Sequence, residues 1–316
     1  MMQELVSVII PSCDRPQLLR RAIQSVVNQS LKSIEILVVL NGTNDGVKEL
    51  EQLGIPELRV ISLPTKVGPA SARNTGVQQA KGEWVAFLDD DDEWLPQKLE
   101  SQLALAKRST CQFPVISSRF FAVTPKGKLI WPRRLPDPKE HLSDYLFARN
   151  SFFLGEGFIQ TSTLFTKKAL FDVIAFDDRC YRHEDWKWLL QVNALEDVEI
   201  QFVPEPVAYW YADVGRPRLS NSDDWQYSLD WIRSVQDLVT PKAYAGFLMT
   251  VVSYYAATAK NWKAFGILLW EAIRLGKLRP IDLFLYANIW FVPQDLRQQV
   301  RASMTQFFRP QIARAK

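Results

Sequence analysis

The sequence is poor in cysteine and histidine, and this scarcity excludes several kinds of site. Three cysteines in 316 residues, Cys13, Cys111 and Cys180, are scattered and odd in number. They form neither a disulfide framework nor the paired spacing of a metal-binding motif, so we expect a reducing compartment. His141 and His183 are the only histidines, and His183 is open to two interpretations, a structural residue or a contact to substrate.

Long apolar runs are also missing. The longest stretch without charge, residues 243–259, has 17 residues and includes Thr250, Ser253 and Thr258. A membrane-spanning helix needs roughly 20 mostly apolar residues, so a buried helix is the better interpretation. The N-terminus has neither the basic region nor the cleavage site of a signal peptide. We therefore expect a cytoplasmic protein.

The net charge is small but unevenly distributed. A value of +3 does not argue for a nucleic-acid-binding protein, and 47% hydrophobic with 23% charged residues indicates a globular chain. Residues 230–316 hold twelve Lys and Arg against five Asp and Glu. This asymmetry indicates a body at residues 1–229 and a basic C-terminal extension at residues 230–316, and the patterns described next predict that the body is α/β and the extension helical.

Strand and helix patterns alternate over the first hundred residues. Short apolar runs, typical of buried parallel strands, alternate with segments whose apolar residues recur at helical spacing. The predicted strands are Leu5–Pro11, Ile34–Leu40, Leu58–Leu63 and Trp84–Leu88, and the predicted helices begin near Pro16 or span Ala70–Ala80 and Gln97–Lys107. This order predicts a mostly parallel, doubly wound α/β sheet that binds ligands at the carboxyl ends of its strands.

The pattern after residue 110 is less regular. It predicts strands at 115–123, 158–165, 200–203 and 207–211, a loop at 125–138, a short helix at 167–172 and a helix that opens at His183. Beyond Asp230 the pattern is purely helical.

Four consecutive aspartates directly follow the fourth apolar strand. They repel one another, so a positive partner, most simply a divalent metal, is needed to make the arrangement stable. In an extended segment alternate residues point the same way, which places Asp89 and Asp91 on one side and Asp90 and Asp92 on the other. Two carboxylates suit Mg²⁺ or Mn²⁺, with substrate phosphates completing the shell. The alternative is a solvated acidic turn that caps the next helix.

Five further patterns occur in a fixed order along the chain. They are Val6–Pro11 with Ser12–Pro16, Ser25–Ser30, Ile34–Val39, the Ala-Arg-Asn-Thr-Gly of Ala72–Gly76, and Phe87–Asp92 with Trp94-Leu95-Pro96. Over about residues 5 to 215 the chain resembles the family 2 glycosyltransferases. The resemblance implies a GT-A fold, a nucleoside-diphosphate sugar donor, Mg²⁺ or Mn²⁺, an acceptor that is a saccharide, a lipid-linked molecule or a protein, and a role in cell-surface polysaccharide biosynthesis.

The resemblance also implies roles for single residues. Asp91 matches the last residue of the family's DxD motif, a metal ligand, and Asp89 matches the first. Arg73 matches the arginine of the ARN motif, near the diphosphate, and the loop after the first strand matches the one that cradles the base. The residues implied to bind the nucleotide sugar are Pro11, Ser12, Asp14, Asn41, Arg73, Asp89 and Asp90.

The catalytic base implied by the resemblance is Asp185, which with Glu184 matches the family's ED motif. A carboxylate within hydrogen-bond reach of the acceptor hydroxyl would take its proton as it attacks, and a helix N-terminus favours carboxylates. Glu184, Asp92 and His183 are the expected supporting residues. The alternative is a helix-capping acidic pair without a catalytic role.

The chain departs from the family pattern at two loops. Two acidic residues often follow the second strand, whereas here the matching pair is Leu40-Asn41, with Asp45 four residues later. Many members carry a histidine near the matching segment 209–220; here Asp213 or Arg218 takes its place, or the segment is a mobile lid.

Three functions compete at this point. The leading hypothesis is an inverting glycosyltransferase. A sugar-1-phosphate nucleotidyltransferase needs a glycine-rich loop after the first strand, which Ser12–Pro16 lacks. A non-catalytic sugar- or nucleotide-binding module is opposed by the intact acidic cluster, Arg73 and Asp185.

The basic C-terminal extension has two interpretations. Aromatic and basic side chains could lie on an anionic membrane surface, as a peripheral contact at the inner face near a lipid-linked acceptor. The alternative is a helical subdomain that packs on the catalytic body or on another protomer. The side chains in question are Trp290, Arg297, Arg301, Phe307, Phe308 and Arg309.

Overall fold

The computed structural model describes residues 4–41, 47–124, 127–211, 224–293 and 296–297. The chain divides into two compact units. The first unit comprises Met1–Leu135 and Phe158–Ser220, and the second comprises Pro136–Gly157 and Asn221–Lys316. The first unit contains the sheet, and the described part of the second contains only helices and their connections.

The first unit is built on one mixed sheet. Its strands are β1 (Val6–Ser12), β2 (Ile34–Asn41), β3 (Leu58–Leu63), β4 (Trp84–Phe87), β5 (Glu93–Trp94), β6 (Phe113–Thr124), β7 (Gly127–Trp131), β8 (Phe165–Lys167) and β9 (Val198–Tyr211). Their order is β3-β2-β1-β4-β8-β6-β9-β5, with β7 paired to β6. The first four strands are parallel, as predicted, whereas β8 pairs antiparallel with both β4 and β6. Consequently the α/β expectation is confirmed, with a larger antiparallel part than the sequence indicated.

The first three helices of the first unit connect the four parallel strands, and the other three follow β5 and β8. They are α1 (Pro16–Val27), α2 (Val47–Glu51), α3 (Pro69–Gln79), α4 (Lys98–Ala106), α6 (Leu170–Val173) and α7 (Glu184–Asn193). Helix α3 lies unusually close to the sheet, because a Cβ atom on Gly76 would be 2.4 Å from the side chain of Ile9 in β1. This contact carries the residues before Gly76 to the edge where β1 and β4 end.

Two predictions for the irregular middle of the chain are wrong, and a third is right about strand residues but wrong about a break between them. The predicted loop at 125–138 contains β7, and the predicted strand at 158–165 is instead an irregular segment with a 3₁₀ turn at Thr161–Thr163. The two predicted late strands are one continuous strand, β9, whose register against β6 shifts near Arg119. Strand β9 continues through Pro204 and Pro206.

The second unit is helical in its described part. Its helices are α5 (Leu142–Phe147), α8 (Trp225–Ser234), α9 (Pro241–Phe247), α10 (Ser253–Thr258), α11 (Trp262–Leu275) and α12 (Pro280–Phe291), with a π-helical turn at Leu248–Val252 between α9 and α10. In the described residues no helix is long and apolar enough to cross a membrane.

The boundary predicted at residues 229 and 230 falls inside α8, and Pro136–Gly157 belongs to the second unit rather than the first. The Phe147 ring lies 5.0 Å from the Phe247 ring, and a Cβ on Gly246 would meet the Phe147 carbonyl oxygen at 2.4 Å. Because α5 packs this closely on α9, the segment that carries it joins the helical unit despite its place in the sequence.

Candidate active site

The acidic run lies at the carboxyl ends of β1 and β4, as the doubly wound pattern predicted. Ser12, the last residue of β1, donates a hydrogen bond to Asp90 at 2.7 Å. Arg15 is 3.3 Å from the Asp90 carboxylate and 3.5 Å from that of Asp91. Adjacent parallel strands bring these loops together because their carboxyl ends share one edge of the sheet.

The four aspartates form a turn rather than the extended segment that the alternation assumed, but their burial still alternates: Asp90 and Asp92 are buried, and Asp89 and Asp91 are partly exposed. The Asp92 N–H donates to the Asp89 carbonyl at 3.1 Å, which closes the turn over residues 89–92. A turn redirects each side chain separately. Asp89 points to Arg73, Asp90 to Ser12 and Asp92 to the protein interior.

Asp92 is a buried anchor for the turn. It is 1% exposed and accepts hydrogen bonds from Ser162 at 2.6 Å, Gln160 at 3.0 Å and the Tyr211 N–H at 3.3 Å. Burial, followed by the charges of Asp89 and Asp91, raises the pKa of Asp92 well above its usual value. Its partners come from the 3₁₀ segment and from the end of β9, so Asp92 ties both to the acidic turn.

Asp90 is buried, but it has a hydrogen-bond donor and a positive charge beside it. Burial raises the pKa of Asp90 to about 6, although the hydrogen bond from Ser12 and the charge of Arg15 oppose the shift. Through its contacts with Ser12 and Arg15, Asp90 joins the end of β1 and the loop after it to the acidic turn.

Arg73 links the acidic turn to the predicted catalytic pair. Its guanidinium donates to Asp89 and to Glu184, both at 2.7 Å, and the residue is 5% exposed. Burial disfavours its charge, but the two carboxylates outweigh this and raise the pKa of Arg73. The planar guanidinium has two terminal NH₂ groups, and each can donate to a different carboxylate. Glu184 is 111 positions away from Arg73 in sequence, so one side chain brings both motifs into one site.

Asp185 lies at the start of α7, beside Glu184. Its carboxylate accepts hydrogen bonds from the Thr161 hydroxyl at 3.0 Å and from the Trp186 N–H at 2.8 Å, and the residue is partly exposed. Burial, followed by the charge of Glu184, raises the pKa of Asp185 to about 7. A carboxylate with this pKa can accept a proton near neutral pH.

His183 precedes α7 in a left-handed conformation with φ 66°. It is 6% exposed, and its ring stacks on that of Trp186 with the centroids 4.8 Å apart. Burial and the neighbouring Arg182 charge lower the pKa of His183 well below its usual value. These contacts favour the structural interpretation, in which His183 shapes the start of α7.

Three residues predicted to contact the nucleotide, Asn41, Asp14 and Pro11, differ in their exposure and in their hydrogen bonds. Asn41 exchanges two hydrogen bonds with the backbone of Val67, at 2.5 and 2.6 Å, and so fixes the loop before α3. Asp14 is exposed, with φ 55° and Lys66 4.0 Å away, and Pro11 lies within β1. Asp45, Asp213 and Arg218 lie outside the described residues.

The donor atoms of the acidic turn fit a hard divalent cation. Asp89 and Asp91 keep 26% and 15% of their side-chain surfaces exposed, and carboxylate oxygens are the ligands that Mg²⁺ and Mn²⁺ prefer. Among the residues that the structure describes, no group of three or more His, Cys, Asp or Glu could hold a metal ion. An ion here would thus complete its shell with diphosphate oxygens and water, as Mg²⁺ commonly does.

Several residues of the site were not predicted. Arg21 donates to the Asp91 carbonyl at 2.7 Å, and Asn74 exchanges two hydrogen bonds with the backbone of Phe176. Ser162 donates to Asp92 and accepts from the Asp89 N–H at 3.1 Å. Asn74 adjoins Arg73 in the recognised motif and could have been found there, whereas nothing in the sequence near Ser162 marks it.

Comparisons with known proteins identify the family and the fold. The family model described as "Glycosyl transferase family 2" matches residues 7–173. A Campylobacter jejuni protein named GalNAc(5)-diNAcBac-PP-undecaprenol beta-1,3-glucosyltransferase is 31% identical over 313 residues, which covers 93% of this chain and 96% of that protein.

Two solved structures share the fold. S. aureus TarS 1-349 in complex with UDP-GlcNAc has a TM-score of 0.53 at 17% identity, over 90% of this chain and 79% of that one. The mannosyltransferase PcManGT from Pyrobaculum calidifontis, in complex with GDP-Man and Mn²⁺, has a TM-score of 0.52 at 16% identity, over 96% and 87%. The family match extends over more than half of the chain, and the C. jejuni relative over nearly all of it. This chain belongs to glycosyltransferase family 2 and is a glycosyltransferase with a GT-A-like fold.

Proposed function

We propose that this enzyme transfers a hexose from a UDP-sugar, with inversion, to a hydroxyl group of a lipid-linked saccharide. The observation that carries the proposal is the bridge by Arg73, which unites the acidic turn and the α7 carboxylates in one site. The acidic turn suits a diphosphate and its cation, and Asp185 suits an acceptor hydroxyl. Both halves of a transfer reaction therefore have residues of the right chemistry.

The reaction is a single displacement in this proposal. Asp185 takes the proton of the acceptor hydroxyl while the oxygen attacks the anomeric carbon, and the bond from that carbon to the diphosphate breaks on the opposite face. Arg73 holds Asp89 and Glu184 in place through its two hydrogen bonds and offsets part of the negative charge that the diphosphate brings into the site. A divalent ion held by Asp91 and Asp89 would supply further positive charge there. Attack opposite the leaving group inverts the configuration.

The donor and acceptor classes rest on the comparisons. TarS binds UDP-GlcNAc on the same fold, and the C. jejuni relative is named for an undecaprenol-linked acceptor. A role in polysaccharide assembly follows from such an acceptor, and a cytoplasmic location stays a prediction.

A thermal-shift series with UDP, GDP and their hexose derivatives, with and without Mn²⁺, tests the donor. A ligand at 100 times its Kd stabilises the native state by about 2.7 kcal/mol. We expect UDP-sugars to raise the melting temperature only with Mn²⁺, and Asp91→Ala to abolish the rise. NMR of the transfer product then tests inversion, because an α-linked donor must give a β linkage. An α linkage in the product would overturn the proposed inversion. Stabilisation by GDP-sugars alone would overturn the proposed UDP-sugar donor.

A further inference from the structure

Two helices of the second unit expose a large apolar surface. Fourteen large hydrophobic side chains are exposed among the described residues, and eight of them lie on α11 and α12. These eight define the α11–α12 face: Trp262, Ile267, Trp270, Ile273, Leu275, Leu283, Phe284 and Phe291. Soluble monomers rarely expose apolar patches this concentrated unless the patch binds something.

Helix α11 is apolar on both of its sides. Ala264, Leu268 and Ala272 recur every four residues and are buried. At 100° per residue, Trp270 and Ile273 project from the opposite side, where they are 60% and 63% exposed. Lys263 and Arg274 lie on the same side, and the Arg274 guanidinium is 5.0 Å from the Trp270 ring centroid, so basic groups flank the exposed apolar side chains.

The exposed side of α12 continues this surface. Leu283, Phe284 and Phe291 are 45%, 55% and 64% exposed, and Ala287 between them is also exposed. The Phe291 ring lies 6.0 Å from the ring of Trp262, which joins the two exposed sides. In contrast, Trp290 is 7% exposed, so the sequence-based idea that this tryptophan contacts a membrane is wrong.

The charges around this face have one sign. Glu271 and Asp282 are buried and form ion pairs with Arg233 and Arg279. The exposed charged side chains between residues 260 and 291 are all basic: Lys260, Lys263, Arg274 and Lys277.

We propose that the α11–α12 face binds the surface of a lipid bilayer that contains anionic lipid. Aromatic and aliphatic side chains beside Lys and Arg are the composition of helices that lie in the interface, with the apolar side roughly 5–10 Å deep. A second copy of the chain fits less well, because the exposed charged side chains between residues 260 and 291 are all basic and offer no acidic partner to their own copies. Bilayer binding is independent of the residues that perform transfer.

Co-sedimentation of the full chain with vesicles tests this proposal. We expect the wild-type protein to pellet with vesicles of phosphatidylcholine and phosphatidylglycerol, and much less with phosphatidylcholine alone. The double variant Trp270→Glu/Phe284→Glu should bind about tenfold or more weakly, because each aromatic ring loses its transfer from water to the bilayer. Val173→Glu is the matched control, since Val173 is 54% exposed in the first unit, and it should bind like wild type.

The charge contribution is tested separately. Lys263→Gln/Arg274→Gln keeps every apolar side chain and should weaken binding to anionic vesicles, with little effect on binding to neutral ones. Added salt should weaken wild-type binding in the same direction. Binding that ignores both lipid charge and salt would overturn the role of the basic residues.

Two outcomes would overturn the proposal as a whole. One is wild-type protein that stays in the supernatant with anionic vesicles at low salt. The other is a dimer that Trp270→Glu/Phe284→Glu disperses in light scattering while vesicle binding is absent. Thermal melting checks that the variants fold. Hydrolysis of the UDP-sugar without vesicles reports separately on the proposed reaction, so failure of one proposal does not imply failure of the other.

Discussion

Arg73 is a buried cation whose charge depends on two carboxylates from distant parts of the chain. Replacing Glu184 with Gln leaves Asp89 as its described ion-pair partner. Because a buried charged group that loses a partner is costly, we expect Glu184→Gln to lower the free energy of unfolding by about 1–3 kcal/mol. Urea unfolding measures the change. Glu196→Gln, at an exposed position just after α7, should change it by less than about 0.5 kcal/mol; equal effects of the two substitutions would contradict the account.

The pKa of Asp185 predicts how activity depends on pH. The base must be deprotonated to accept the proton of the acceptor, and burial raises the pKa of Asp185 to about 7. We therefore expect kcat/KM to fall as the pH falls below about 7, with one proton taken up. A pH profile of transfer at subsaturating substrate checks this. An activity that stays level down to pH 5 would exclude Asp185 as the base.

The same shift predicts a gain in stability when the charge is removed. The pKa of Asp185 is higher in the folded chain than in the unfolded one, so the folded state loses stability as the pH rises from about 4 to about 7. We expect Asp185→Asn to melt above wild type at pH 8, with the difference shrinking toward pH 4. Thermal melts across this range measure it. A variant that melts below wild type at pH 8 would show that the ionised carboxylate is well accommodated.

At the scale of helices and strands, the contact between α3 and β1 carries Arg73 to the site. Gly76→Ala would place a methyl group 2.4 Å from Ile9, and such overpacking typically costs about 1–3 kcal/mol. Gly266→Ala is the matched control, because a Cβ at this helical position meets nothing within 4 Å and Ala should stabilise the helix by about 0.5–1 kcal/mol. Urea unfolding of both variants gives the comparison; a neutral Gly76→Ala would show that α3 can move away from β1.

The elements that the sequence predicted well are those with a strong local signal. The four parallel strands were placed within one or two residues because buried strands are continuous apolar runs. The strand β7 was missed because Pro125, Pro132 and Lys residues give its segment the composition of a loop. The turn at Asp89–Asp92 was only the alternative interpretation, because the alternation rule assumes an extended backbone, whereas a backbone hydrogen bond closes this segment.

At the scale of the whole molecule, the site depends on long-range contacts that no local pattern encodes. The resemblance supplied Arg73 and Asp185 as separate motifs, and the structure adds the Glu184 bridge between them. Asp92 was assigned only a supporting role, yet its partners Gln160 and Ser162 lie about seventy positions away. Tertiary packing brought these side chains together, so only their chemical types could be expected from the sequence.

The division of the chain into two units also depends on long-range contacts that local sequence patterns do not encode. The charge asymmetry indicated an extension that begins near residue 230, but the second unit also includes Pro136–Gly157. That segment joins the helices through aromatic packing and a glycine contact. Because such contacts leave no mark on the composition of the segment, its membership of the second unit could not be predicted from the sequence.

We propose that Asp185 is the base in the site that Arg73 assembles. Measuring donor affinity and turnover separately tests this most directly. Calorimetry would give the Kd of a UDP-sugar with Mn²⁺, and a transfer assay would give kcat, for wild type, Asp185→Asn and the exposed control Asp178→Asn. We expect Asp185→Asn to bind the donor like wild type but to lose about 10²- to 10⁴-fold in kcat, and Asp178→Asn to retain both donor affinity and kcat. Full turnover by Asp185→Asn would contradict the claim.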